Sequence, residues 1–361
     1  MSQNLDLRVN RLPVSTWNHL HMNETDFSLA MPDGPAETVI DNPDKMIHEH
    51  SMDFLRDFSQ VETGMGPDMN RLLWDGSDGR VQHDVFRLRE GKGTVRISFS
   101  SEGGHVTGNF IGLEAKADTE MTAVMDMSTA DGSECAQAVQ TKMIVGRNAK
   151  IRLIQIMRAG DEALLLNDVG GICDDNASID IIHVILSGKN VMLGATVNLN
   201  GERSYMTSDT GYMVEGDHRL DMNYVTNHIG PRTNCLMTTN GVLKGTAKKI
   251  FRGTIDFRNG SAASKGAVTE DVLLIDDEVV NQTIPVILCA EEDVEGSHGA
   301  TIGQLDEDTV FYLQSRGMSI EDVYALMEKA RLLAVIRKIP DDVTRDALLK
   351  DFDAEGENEE E

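Results

Sequence analysis

From about Val81 to Ile302 the apolar positions of this chain alternate with a period of two. Val95, Ile97 and Phe99 fall on one face of an extended segment, while Ile179, Ile181, His183 and Ile185 back onto Ile182, Val184 and Leu186. The same grain recurs in KIRLIQI (150–156), VMLGATVNL (191–199) and GTIDFRNG (253–260). Strands that are apolar on both faces need cover on both sides. Between the runs stand turn sequences such as Asp174-Asp175-Asn176, Gly188-Lys189-Asn190 and Asn200-Gly201. No long helical crossover separates the runs, which argues against a doubly wound fold and for an all-β architecture. Strand blocks return roughly every twenty to thirty residues, about one coil of a solenoid. A sandwich, an up-and-down barrel and a parallel β-helix all accommodate that spacing.

The flanks read differently. Residues 1–80 read as a separate, partly helical region. Within it Met46, Ile47, Met52, Phe54, Leu55 and Phe58 predict a helix over 44–58, and breaks are expected at 32–35, 63–67 and 75–79. Beyond the β region (81–303) a helical domain is predicted over 304–350. There Asp306 is a plausible N-cap, Gly317 a C′ stop and Ser319 to Asp322 an approximate capping box. Ile320, Val323, Leu326, Met327, Ala330, Leu333 and Ala334 form an apolar stripe, Pro340 ends that helix, and Asp341 or Asp342 can cap another carrying Val343, Ala347, Leu348 and Phe352. The last coil of a solenoid leaves an open edge, and these helices are expected to shield it. The acidic run 351–361 is expected to be disordered.

Charge narrows the partners. A net charge of -27 repels phosphate backbones and anionic lipid, so neither nucleic acid nor membrane is an expected partner. No apolar run approaches the length of a bilayer span and the N-terminus lacks the apolar core of a signal peptide, so a cytoplasmic location is expected. Cys135, Cys173, Cys235 and Cys289 lie far apart and read as reduced, buried thiols. His19, His21, His48 and His50 are not expected to hold a metal, because residues two apart do not share a helical face and no third ligand is evident. Lys248, Lys249, Arg252, Arg258 and Lys265 read as a solvated basic face. Nucleotide-binding, nucleophile-elbow, zinc-protease and dinucleotide motifs are missing, and the chain is not expected to be an enzyme.

NQTIPVILCAEEDVEGSHGATIG (281–303), followed by FYLQSRG (311–317), resembles the core signature of the SufB/SufD family, scaffold subunits of SUF iron-sulfur cluster assembly. The resemblance extends back through HIGPRTNCLMTTNGVLKGTAKKIFRGTIDFRNGSAASKGAVTEDVLLI (228–275) and more weakly to LPVSTWNHL (12–20). It implies a mainly β fold, a right-handed parallel β-helix core followed by a C-terminal α-helical domain that receives a SufC-type ATPase. Docking is then expected around Phe311, Tyr312, Arg316, Val323 and Met327. The His of S-H-G-A-T, here His298, is implicated in the SufD branch in cluster formation or iron handling at the subunit interface. The expected cofactor is a transient iron-sulfur cluster that the chain alone does not hold, and the expected partner is a SufB-type subunit or a second copy. Two departures point away from the SufB branch: Val279 stands where that branch has a Cys six residues before the Pro, and Gly299 follows His298 in place of Glu. A β-helix enzyme acting on acidic polysaccharide and a purely structural binding module are the rival readings.

Overall fold

The computed structural model describes residues 4–16, 18–50, 55–74, 79–132 and 134–358. Its first strands, β1 (Asn4–Val9) and β2 (Thr25–Ala30), form an antiparallel pair. The later strands form two nine-stranded sheets of the described residues, and from β5 onward consecutive strands alternate between them. One sheet orders β4 (Ile47–Glu49), β5 (Val81–Leu88), β7 (Val106–Ala115), β9 (Cys135–Val145), β11 (Ala163–Cys173), β13 (Asn190–Leu199), β15 (Arg219–His228), β17 (Lys248–Phe257) and β19 (Val280–Cys289). The other orders β3 (Glu37–Asp41), β6 (Lys92–Ser101), β8 (Glu120–Thr129), β10 (Lys150–Arg158), β12 (Ser178–Ser187), β14 (Tyr205–Val214), β16 (Asn234–Leu243), β18 (Ser264–Leu274) and β20 (Val294–Gly303). From β5 onward every neighbour is parallel, giving a β-solenoid of about eight turns. The short β3 and β4 join antiparallel to β6 and β5.

The period-two pattern explains why the coils stack. Ile179, Ile181 and Ile185 enter one continuous interior core with their neighbours above and below, such as Ile151 and Met206. The opposite face of the same strand, Ile182, Val184 and Leu186, is covered from outside by Leu332, Val335, Ile336 and Leu348 of the C-terminal helices. Fully burying each such side chain contributes about 1.5–3 kcal/mol. The coil corners are fixed by backbone. Asp118, Asn148, Asn176, Arg203, Arg232 and Ala263 all take φ between 52° and 62°. In each, the amide of that left-handed residue donates to a carbonyl of the next coil, as Asn176 N to Glu202 O at 2.8 Å. Asn and Asp tolerate this conformation through local hydrogen bonding, which is the physical content of the Asx-rich turns.

Several sequence expectations are corrected here. The predicted helix over 44–58 is instead the strand β4 followed by the single turn α1 (Leu55–Phe58), with 51–54 outside the described residues. Region 1–80 carries the strands β1 to β4 beside α2 (Pro67–Leu73) and two single helical turns, and it packs on the later coils. Asn10 Nδ2 donates to Asp221 Oδ1 at 2.8 Å, Thr25 donates to Oδ2 of the same carboxylate, and Leu12 and Met22 pack on Ile250 and Ile284. Arg252 and Lys249 are not a solvated face. Arg252 lies fully buried under this N-terminal segment, donating to Asp221 Oδ1 at 2.6 Å and to the Met22 carbonyl at 2.7 Å. Trp17 of the LPVSTWNHL motif is outside the described residues.

At the C-terminus come α3 (Glu307–Ser315), α4 (Ile320–Ile336) and α5 (Asp342–Asn358). Asp306 caps α3 by accepting from Thr309 N, Ser319 and Asp322 form a capping box on α4, Gly317 takes φ +96°, and Asp341 accepts from Thr344 N. These helices do not shield the open coil. α4 packs on β12, β14 and β16, because the outer face there offers a broad apolar surface. Its inward face is Val323, Leu332, Val335 and Ile336, so Leu326, Ala330 and Ala334 of the expected stripe are exposed instead. α5 continues to Asn358, so most of the expected disordered tail is helical. Once the Asp341 cap starts the helix, each further residue adds a bond at little entropic cost. Among the described residues no helix is long and apolar enough to cross a membrane.

Candidate functional site at the open end of the solenoid

β19 and β20 are the last strands of their sheets, each hydrogen-bonded on one side only, to β17 and β18. Their outer edges therefore present unpaired N–H and C=O groups. β20 is exposed along almost its whole length, and Val280, Ile287 and Ile302 are 40%, 36% and 42% exposed. An apolar strand edge of this length is a template for another strand.

His298 stands on this edge, exposed and in register with Val268 of β18. Its neighbour Gly299 takes no unusual φ, and a Cβ built there meets nothing within 4 Å. The chain's own fold thus gives no crowding reason for glycine at 299 or 303. Gly317, by contrast, takes φ +96° at the end of α3.

Cys289 departs from expectation. The other three cysteines are buried, but Cys289 is exposed at the end of β19, where its thiol donates to the Glu291 carbonyl at 3.0 Å. It is in register with Phe257 of the interior core and is exposed because no further coil stacks on β19. The adjoining corner is acidic. The Glu291 carboxylate accepts from the amides of Gly260 and Glu292, both at 3.0 Å, and these hold it below the usual carboxylate range. Lys265 Nζ bridges both oxygens of Glu295 at 2.9 Å. Imidazole and thiolate are ligands for iron and other borderline to soft metals. Among the described residues, however, no three metal-ligating side chains converge around His298. This end can contribute a ligand or two to a shared site, and no complete set.

Just inside the terminal coil lies a polar group the sequence reading missed. Lys249 is fully buried against Glu270, and Thr283 of β19 accepts from Lys249 Nζ at 3.1 Å while donating to Glu270 Oε2 at 2.7 Å. Burial pushes the Lys249 ammonium pKa down, with the Glu270 carboxylate opposing. Its two-residue spacing from Phe251, which faces the core, was the signal that could have placed it inside. Deeper still, His228 touches Thr233 at 2.7 Å and Cys235 Sγ at 3.3 Å and stacks on Phe257. Burial lowers its pKa to about 4 and raises the Cys235 thiol to about 12, so Cys235 is the packing thiol the sequence suggested.

The docking candidates divide. Phe311 and Tyr312 are 73% and 55% exposed on α3, which buries none of its own residues, and the Arg316 guanidinium lies 5.1 Å from the Tyr312 ring. Met327 is half-buried. Val323 is fully buried and presents no surface to a partner in the chain alone.

Residues 98–331 match the family model described as SUF system FeS cluster assembly, SufBD core domain. The chain is 24% identical over 237 residues to iron-sulfur cluster assembly protein SufD of Bacillus subtilis, covering 64% of this chain and 54% of that one. It is 23% identical over 218 residues to SufB of the same organism, covering 60% and 46%. A chloroplastic SufBD family protein of Arabidopsis thaliana is 25% identical over 213 residues, covering 57% and 38%. The chain thus spans about half the length, or less, of these curated relatives.

Proposed function

The chain belongs to the SufB/SufD family of iron-sulfur cluster assembly proteins, and on that premise we propose that it is a SufD-like scaffold subunit in the cytoplasm. It pairs through β19 and β20 with a SufB-type partner and contributes His298 to a cluster or iron site completed by that partner. The observation that carries this reading is the placement of His298: an exposed imidazole, without companion ligands among the described residues, on the free edge of an uncovered coil. Gly299 and Gly303 fit a second backbone lying against that edge, since their own chain leaves the space open.

The exposed aromatic pair of α3, with Arg316, is the docking face for a SufC-type ATPase, whose nucleotide cycle would move one subunit against the other. Aromatic and Arg side chains are the residue types that dominate binding energy at protein interfaces. The chain itself carries no catalytic step in this scheme. Val279 and Gly299, in place of the SufB-branch Cys and Glu, assign sulfur acceptance and the carboxylate ligand to the partner.

Co-purification with SufB-type and SufC-type subunits, followed by anaerobic loading with iron and sulfide, tests the proposal. A stoichiometric complex is expected, with cluster loading lost in His298→Ala while the complex persists. Undiminished loading in an intact His298→Ala complex would reduce the chain to a structural module. Failure to associate with either subunit would overturn the scaffold reading altogether.

A further inference from the structure

His48 and His50 lie on and just after a strand, and this changes what they can do. Residues two apart diverge on a helix but share one face of a strand. β4 pairs antiparallel with β5, setting His48 opposite Phe86 and bringing His50 level with Asp84. Glu49 and Arg87 bond to each other on the outer face, while Phe86 belongs to the interior core. The two imidazoles therefore converge on the fully buried carboxylate of Asp84 at the N-terminal mouth of the solenoid. His48 Nε2 and His50 Nδ1 each lie 2.7 Å from Asp84 Oδ1, and the three donor atoms are within 4.8 Å of one another.

We propose that His48, His50 and Asp84 bind a divalent first-row transition-metal ion of the Fe²⁺ or Zn²⁺ kind. Two imidazoles and one carboxylate are the donor set of catalytic zinc centres and of non-haem iron sites that keep positions open for solvent. Ligands at about 2.0–2.1 Å in tetrahedral array stand about 3.4 Å apart, so an ion is admitted by opening the present contacts by less than about 1 Å. The set is also held in place from behind. Gln82 Nε2 donates to Asp84 Oδ2 at 2.7 Å, leaving Oδ1 to face the rings, and the His48 ring stacks on Phe86 at 4.3 Å with an interplanar angle of 8°. Such outer partners orient metal ligands and tune their affinity. A buried carboxylate is stable when paired or metal-bound. His50, 61% exposed at its side chain, marks the solvent side from which an ion enters.

The test is titration of the chelator-stripped full chain with Co²⁺, read by its visible absorption and by thermal melting. One equivalent bound with the absorption of nitrogen and oxygen ligation is expected, together with a rise in Tm. His50→Ala, at an exposed position, and His48→Ala should abolish both signals, Gln82→Ala should weaken binding about 10–100-fold, and His298→Ala should leave it unchanged. Because an acidic chain gathers cations non-specifically, the decisive comparison is with the variants. Equal Co²⁺ uptake and equal Tm shift in wild type and His50→Ala, or no uptake by wild type, would overturn the site. Neither outcome bears on the role of His298.

Discussion

At the amino-terminal end of the solenoid the sheets finish in β3 and β4, strands of five and three residues that run antiparallel to the coils. At the carboxy-terminal end they finish in β19 and β20, full ten-residue strands whose outer edges are unpaired, with Val280, Ile287 and Ile302 exposed and only Ile284 of β19 buried under the N-terminal segment. Short edge strands are a common device for blunting unwanted pairing, and long bare ones invite it. The first end is also tied down. Arg96 joins Asp41 of β3 to Asp341, the cap of α5, whereas the polar cluster of Asp221 with Asn10, Thr25 and Arg252 lies over β15 and β17, toward the other end. One architecture therefore carries a blunted end and an open one, and the proposed scaffold role places association at the second.

The largest effect should come from breaking the buried ion pair under the N-terminal segment. Asp221→Ala strands the buried Arg252 guanidinium and is expected to lower stability in urea unfolding by about 3–5 kcal/mol. Proteolysis should then begin within residues 10–25 while the later coils stay protected. Arg252→Met, removing the charge with the same length, should cost less.

Acid comes next. His228 has a folded pKa of about 4 against an ordinary value of 6.5. Above pH 6.5 both states are neutral and its contribution is fully present. As pH falls from 6.5 to 4 the unfolded chain takes a proton that the folded one refuses, and about 3 kcal/mol is lost. His183, pushed to about 3 by burial, adds a second proton and extends the window downward. The slope of stability against pH between 6.5 and 4 should fall by about one proton in His228→Asn. An unchanged slope would show that the interior beside β15 is wet.

Ala263 sharpens the contrast by a smaller amount. It holds φ +60° in the last corner before β18, a conformation that side chains other than Asn and Asp adopt at a cost. Ala263→Gly is expected to raise stability by up to about 1 kcal/mol in thermal melts, the gain from relieved strain being partly offset by unfolded-state entropy. Ile302→Lys, at the bare edge, should change monomer stability by under about 0.5 kcal/mol. The same substitution should abolish partner binding, whereas Val39→Lys on β3 should leave partner binding intact.

The coils were legible because their side-chain period is two and their turns carry Asx residues or glycine, both local signals. The expectation that two-faced apolar strands need outer cover was met by α4 and α5 over Ile182 and Val184. What failed depended on contacts distant in sequence. The apolar residues around 44–58 fit a helix by spacing, but pairing with β5 made Ile47–Glu49 a strand. Asp84, from an element far from His50 in sequence, could not be suspected until register set the two side by side. Lys249 and Arg252 read as surface because charge is usually solvated, and their partners lie on other strands, Glu270 on β18 across the core and Asp221 one coil back on β15. His298 was legible through family resemblance, and its exposure on the edge strand through the fold alone.

The central claim is that the free edge of β20 is where another subunit attaches. Hydrogen–deuterium exchange of the chain alone and mixed with a SufB-type subunit measures this directly. Amides of 294–303 should exchange quickly in the isolated chain and become strongly protected in the mixture, with β3 and β4 unchanged. Protection gained at β3 and β4 while 294–303 continues to exchange freely would contradict it.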